Sequence, residues 1–154
     1  NMIASGSADD LIRIWDLNTG TIFRNLTGHI NDVISLTLVN ETLLMSGGLD
    51  LRFIMWNLSN WSLIRTTPVH SPINTIVQLL DGHLLISLND GHLGLWNGNI
   101  ALVGAYFPTG YAVNYMSHTT QFTSNNLRYF VGTYLGEIRI FNPKTGRLLD
   151  RIQG

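Results

Sequence analysis

The sequence contains no cysteine, so no disulfide framework holds it together, and cysteine usage leaves its redox compartment undecided. Charge is scarce too. Asp, Glu, Lys and Arg make up 12% of the 154 residues, where about 25% is usual for a globular domain. Little of this surface is built for plain solvation, and much of it is expected to be covered by neighbouring repeats, by further chain or by a partner. A net charge of −1 and a pI near 6.5 supply no overall attraction to nucleic acid or acidic membranes. No apolar run approaches the ~20 residues of a membrane span. No segment sustains a 3.6-residue apolar period, so essentially no helix is expected.

What is present is a strand that ends in an aromatic ring, four times over. It reads LIRIWDL (Leu11 to Leu17), LRFIMWNL (Leu51 to Leu58), HLGLWNG (His92 to Gly98) and EIRIFNP (Glu137 to Pro143). The rings belong to Trp15, Trp56, Trp96 and Phe141, spaced 41, 40 and 45 residues apart. The residues one and three before each ring are apolar: Ile14 and Ile12, Met55 and Phe53, Leu95 and Leu93, Ile140 and Ile138. Arg13, Ile54, Gly94 and Arg139 lie between them. That period of two predicts β-strands with one consistently buried face. A unit repeated every ~40–45 residues cannot hide its apolar face alone and stacks on copies of itself.

The segments around these strands are short and punctuated by turn residues. LNTG (Leu17 to Gly20), Asn40-Glu41, Gly47 to Asp50, Ser59 to Trp61, Asp81-Gly82 and Asn89 to Gly91 all carry turn chemistry. Between them lie further expected strands, among them Val33 to Val39, Ile73 to Leu79, Ile100 to Tyr106 and Tyr111 to Met116. Pro68 and His70 are expected in a loop. Ser117 to Asn126 reads as a longer polar loop holding His118.

In this arrangement the sequence resembles the WD40 repeat family. SGSADDLIRIWDLNTG (Ser5 to Gly20) matches the family's strand–turn–strand signature. GHINDVISL (Gly28 to Leu36) resembles its Gly-His loop leading into a blade's first strand. LLMSGGLDLRFIMWN, LLISLNDGHLGLWN and FVGTYLGEIRIFN follow with decreasing likeness, and the resemblance covers the whole chain. It implies an all-β fold, a WD40-type β-propeller with about four four-stranded antiparallel blades in an open arc or partial ring. The segments would be a partial blade 1–27, blades 28–66 and 67–106, and a degenerate blade 107–154. The first blade would lack its innermost strand. Because propellers close with roughly 4–8 blades, the resemblance implies an arc of a longer WD40 chain whose remainder completes the ring. Sheet edges exposed at both ends would make the segment alone aggregate, dimerise or fold poorly.

The resemblance also implies an internal hydrogen-bond network of a loop His, a turn Asp, a Ser or Thr and the ring Trp. Such a chain of partners satisfies groups that are costly to bury alone. Asp9, Asp50 and Asp90 each stand six residues before their Trp. The second repeat would use His29, Ser46, Asp50 and Trp56. The third would use His70, Ser87, Asp90 and Trp96, with Ser87 one residue out of register. The first has Ser5, Asp9 and Trp15, its His falling before residue 1. The fourth carries Leu135 and Phe141 in place of Asp and Trp and would hold by packing alone.

Catalytic signatures are missing. Gly132 to Gly136 (GTYLG) is a turn, with neither the Lys-Ser/Thr nor the helix start of a phosphate loop. There is no nucleophile elbow and no HExxH. His83 and His92 begin opposite strands of one hairpin and are too far apart to share a metal. His29 and His70 read as network residues. No catalytic residue, metal or cofactor is expected. The sequons Asn25-Leu26-Thr27, Asn40-Glu41-Thr42, Asn57-Leu58-Ser59 and Asn60-Trp61-Ser62 read as incidental to an Asn- and Thr-rich chain. The nine Lys and Arg residues are scattered over separate strands, so no nucleic-acid partner is expected.

The expected function is a non-catalytic protein–protein interaction scaffold inside a multiprotein complex, cytoplasmic, with the nucleus as the alternative. Its partners would be proteins or peptides. Loops would carry recognition, with Asn31, Asp32, Asn74, Tyr111 and Tyr134 as contact candidates, since aromatic anchors and polar side chains dominate such surfaces. The competing readings are a nucleic-acid or phospholipid reader, which needs a basic patch, and a hydrolase or lyase with a central-channel site. The latter needs His and acidic residues on innermost strands, and Val33 to Val39 and Ile73 to Leu79 carry none.

Overall fold

A computed structural model describes residues 1–79, 82–97, 107–108, 113–118, 128–133, 135–142 and 147–153. Among the described residues there are fifteen strands and no helix. In chain order they are β1 (Met2–Gly6), β2 (Leu11–Asp16), β3 (Thr21–Thr27), β4 (Val33–Asn40), β5 (Leu43–Gly48), β6 (Arg52–Asn57), β7 (Ser62–Pro68), β8 (Ile73–Gln78), β9 (Leu84–Leu88), β10 (His92–Trp96), β11 (Phe107–Pro108), β12 (Val113–His118), β13 (Tyr129–Thr133), β14 (Glu137–Phe141) and β15 (Leu148–Gln153). They form four sheets ordered β1-β2-β3, β4-β5-β6-β7, β8-β9-β10-β11 and β12-β13-β14-β15. These are WD40-type propeller blades, each an antiparallel meander. The chain divides into two compact units, residues 1–76 and 77–154.

In the first unit, the apolar alternation of LIRIWD buries Ile12 and Ile14 and leaves Arg13 half-buried. These two residues join Leu26, Val33, Leu44, Ile54 and Trp56 in one core cluster. The four central residues of β6 are buried without alternation, because both faces of that sheet are covered. Each blade has a glycine or small residue nine positions before its ring. An added Cβ on Gly6 would lie 2.7 Å from the Val33 carbonyl oxygen, and on Gly47 2.6 Å from Ile73 Cγ2. The next first strand thus packs directly on the backbone of the second strand. Polar bonds reinforce this stacking: Val33 N donates to Ser7 O at 3.0 Å, Thr37 Oγ1 donates to Ile76 O at 2.6 Å and Ile76 N donates to Ser35 Oγ at 2.9 Å.

The second unit has its own core of Leu79, Leu85, Leu93, Val131 and Phe141. In three of the blades the register slips beside the ring, between Ile14 and Trp15, Met55 and Trp56, and Ile140 and Phe141. The extra residues on the facing strands are Phe23, Ile64 and Leu149, and all three are exposed. A bulge of this kind bends the outer strand.

Several sequence expectations need correction. Ile138 is 43% exposed rather than on a buried face. Pro68 closes β7 opposite Arg52, and Pro108 closes β11 opposite His92. Proline fits these outer edges because no partner strand needs its missing N–H. Phe107 and Pro108 therefore belong to the third sheet. His118 lies in β12 opposite Tyr129, not in a loop. The expected strand at Ile100 to Tyr106 lies outside the described residues.

Candidate interaction surface

One fully assembled polar network underlies the loop between β3 and β4. Trp56 Nε1 donates to Ser46 Oγ at 2.8 Å, Ser46 Oγ lies 2.7 Å from His29 Nε2, and His29 Nδ1 lies 2.8 Å from Asp50 Oδ2. The chemistry fixes the direction of this chain. Asp50 only accepts, so His29 Nδ1 carries the proton and donates. In the singly protonated imidazole, Nε2 then accepts from the Ser46 hydroxyl, which in turn accepts from the indole. The side chains of His29 and Asp50 have no exposed surface. Asp50 also accepts from Ile30 N at 3.1 Å and Arg52 N at 3.2 Å, while Arg52 Nη1 donates to Gly28 O at 3.0 Å. One carboxylate therefore ties the Gly28–Ile30 loop to the turn after β5.

That turn has a repeated backbone requirement. The residue after each network position has positive φ: Asp10 at 68°, Leu51 at 60°, Gly91 at 85° and Gly136 at 78°. The latter two copies meet it with glycine, the residue suited to it. The former two hold strained side chains.

The first copy splits the network. Trp15 Nε1 donates to Ser5 Oγ at 2.9 Å, but Asp9 is taken by Arg13. Nη1 of that guanidinium donates to Asp9 Oδ1 at 3.1 Å, Nη2 pairs with Oδ2, and the pair holds the Asp9 carboxyl well below its usual range.

The third copy departs further, and Ser87 is the correction. Ser46 and Ser5 stand opposite the residue two before their Trp, Ile54 and Arg13. Ser87 stands opposite Leu93, three before Trp96. A one-residue shift turns a strand side chain to the other face. Ile86 therefore takes the serine seat, and Ser87 occupies the position of Gly6 and Gly47. It is fully buried, and its hydroxyl has no hydrogen-bond partner among the described residues. Asp90 accepts from His92 N at 3.1 Å and lies 3.1 Å from His92 Nδ1. Its side chain is 34% exposed, where that of Asp50 is sealed. His70 is exposed, unlike His29.

In the fourth copy, Val131 fills the serine seat opposite Arg139, and Phe141 fills the tryptophan seat. Both are buried. Phenylalanine has no N–H to satisfy, so the apolar seat matches it. Leu135 at the Asp position is 61% exposed.

Of the contact candidates, Asn31 is exposed and its Oδ1 accepts from Asp32 N at 2.8 Å. Asp32 is half-buried, and its carbonyl accepts from Leu49 N at 2.9 Å. Asn74 is half-buried. Tyr111 and Tyr134 lie outside the described residues.

Three sequon asparagines have a local explanation. Asn40, Asn57 and Asn60 each accept, through Oδ1, from the backbone N–H two residues on, at 2.9, 2.8 and 3.2 Å. The Thr42 and Ser62 hydroxyls reach the same oxygens at 3.0 and 2.7 Å. The Asn-x-Ser/Thr spacing is that of Asx turns. Sequence reading missed Arg13 and Arg52, although both stand four or fewer residues from a network Asp.

A family model described as "WD domain, G-beta repeat" matches residues 1–16. The chain is 23% identical to Autophagy-related protein 16 of Arabidopsis thaliana over 164 residues, covering 97% of this chain and 30% of that protein. It is 33% identical to WD repeat- and FYVE domain-containing protein 4 of Mus musculus over 107 residues, 64% of this chain and 3% of that protein. It is 34% identical to Nuclear distribution protein nudF 1 of Talaromyces marneffei over 101 residues, 62% of this chain and 22% of that protein. The chain thus spans less than a third of the length of each of these relatives. With its repeated antiparallel blades and these likenesses, the chain is similar to WD40 repeat proteins. Among the described residues, no helix is long and apolar enough to cross a membrane.

Proposed function

We propose that the chain is a non-catalytic scaffold whose WD40 blades present loops to partner proteins or peptides within a multiprotein complex, in the cytoplasm or, alternatively, the nucleus. The carrying observation is the division of roles in the β3–β4 loop. Both ring nitrogens of His29 are consumed inside the blade, so the residue that most resembles a catalytic base shapes the loop instead. Asn31, two residues on, is exposed on the loop so held. A rigid scaffold with short, fixed loops is the physical basis of such recognition. The low charge content fits a surface destined for contact.

The test is affinity capture of the intact protein, followed by mass spectrometry, with Asn31→Ala and Asp32→Ala combined. The double substitution should deplete bound proteins while leaving the melting temperature unchanged. An undiminished set of partners would count against this loop as the recognition surface.

A further inference from the structure

The unit 1–76 carries an apolar cleft of about 580 Å³ between its first two sheets. It lies at the strand ends served by the β4–β5 and β6–β7 turns, away from the His29 loop. Met2, Ala4, Ile14, Leu38, Glu41 and Trp61 are among its walls. The volume falls within the ~300–1,000 Å³ of ligand pockets.

A difference between repeats accounts for the cleft. Ala4 pairs with Ile14 in the first blade, and Met45 pairs with Met55 at the same register in the second. Met45 is fully buried. Alanine in its place leaves unfilled the volume that a methionine occupies one repeat later.

The wall of the cleft carries one charge. Glu41 is the charged side chain in its wall, is exposed, and makes no ion pair with a described residue. Outside the wall, Asp16 sits directly across from Met2 and Arg24 directly across from Ile14, so these two rim charges offset one another and Glu41 sets the sign inside the cleft. No Lys or Arg lines the cleft.

We propose that this cleft docks a short linear segment of a partner protein, seating one aliphatic side chain between Ala4 and Trp61 and an adjacent Lys or Arg against Glu41. The proposal rests on the scaffold reading in taking the partner to be a protein, and it adds a second surface to that of the loops.

The intact protein, labelled at its methionine methyl groups, provides the test. The Met2 signal, assigned with Met2→Leu, is followed by NMR during titration with the capped peptide Gly-Ser-Leu-Arg-Ser-Gly. That signal should shift while Met45 and Met55 stay fixed. Glu41→Gln should weaken binding about two- to fivefold, the range of a rim ion pair. A Leu-Glu version of the peptide should bind more weakly than Leu-Arg. Ala4→Met should abolish the shift without lowering the melting temperature.

An unmoved Met2 signal would overturn the proposal, as would full binding by the folded Ala4→Met protein. A cleft already filled by another segment of the chain, seen as a Met2 methyl shielded before any peptide is added, would overturn it too. None of these results touches the loop surface. If they occur while the Asn31/Asp32 substitutions still deplete partners, the cleft fails and the scaffold stands.

Discussion

The hydroxyl of Ser46 accepts the indole N–H of Trp56 across 2.8 Å, inside a blade where neither group meets water. Ser87, one repeat later and equally buried, has a hydroxyl with no such partner.

Alanine should therefore act with opposite sign at the two serines. Ser46→Ala leaves the Trp56 donor and the His29 acceptor unpaired and should destabilise by about 1–3 kcal/mol. Ser87→Ala removes an unsatisfied hydroxyl and should be neutral or stabilise by up to about 1 kcal/mol. Equilibrium denaturation of both variants checks this. Equal losses would mean that Ser87 is bonded after all.

Leu51→Gly should stabilise the protein by about 0.5–1 kcal/mol. Leu51 has φ of 60° and is partly exposed, so it loses little packing. The left-handed conformation costs a side chain roughly 1–2 kcal/mol, offset in part by glycine's extra chain entropy of about 0.5–1 kcal/mol. Gly91 and Gly136 already stand at the matching position. A lowered midpoint in urea would refute the strain argument.

The blades were legible in the sequence because the aromatic ring, the apolar residues before it and the turn residues after it all recur at one spacing. The second network was legible for the same reason, as His29, Ser46, Asp50 and Trp56 hold its register. Ser87 misled because residue type was right and register wrong, and in a strand one position reverses the face. The Asp9–Arg13 pair was hidden because its spacing of four means little without the turn that folds β1 onto β2. The Ala4 cleft was invisible for another reason. Nothing in a single alanine announces the missing volume until the matching Met45 is seen buried.

Asp9→Asn should expose a pH dependence. Hydrogen bonds from Arg13, then Ser7, lower the Asp9 pKa from its ordinary 3.8. A lowered folded pKa means the carboxylate's contribution is whole above about pH 4 and fades as pH falls towards the lower folded value. The difference in melting temperature between wild type and Asp9→Asn should thus be constant near neutrality and shrink below about pH 4. A gap that widens on acidification would reverse the sign and exclude the pair as its source.

The glycines nine residues before the rings supply a sharper contrast. Alanine at either would normally gain about 0.5–1 kcal/mol in a strand, but here its Cβ meets the neighbouring first strand. At Gly47 the three nearest atoms all belong to the Ile73 side chain, at 2.6 to 2.9 Å. At Gly6 the nearest is the Val33 carbonyl oxygen, at 2.7 Å. Each single substitution should cost about 1–3 kcal/mol by overpacking. Shortening the opposing residue should then separate them. In a double-mutant cycle, Ile73→Gly should absorb most of the Gly47→Ala penalty, because it removes the Cβ at 2.8 Å together with Cγ2 and Cδ1. Val33→Gly, which removes Cβ and Cγ1 as well, should not rescue Gly6→Ala, because the backbone oxygen at 2.7 Å stays where it was. Equal rescue at both positions would show that the first strand can withdraw as a whole, and that the blades are not packed backbone to backbone at β1 and β4.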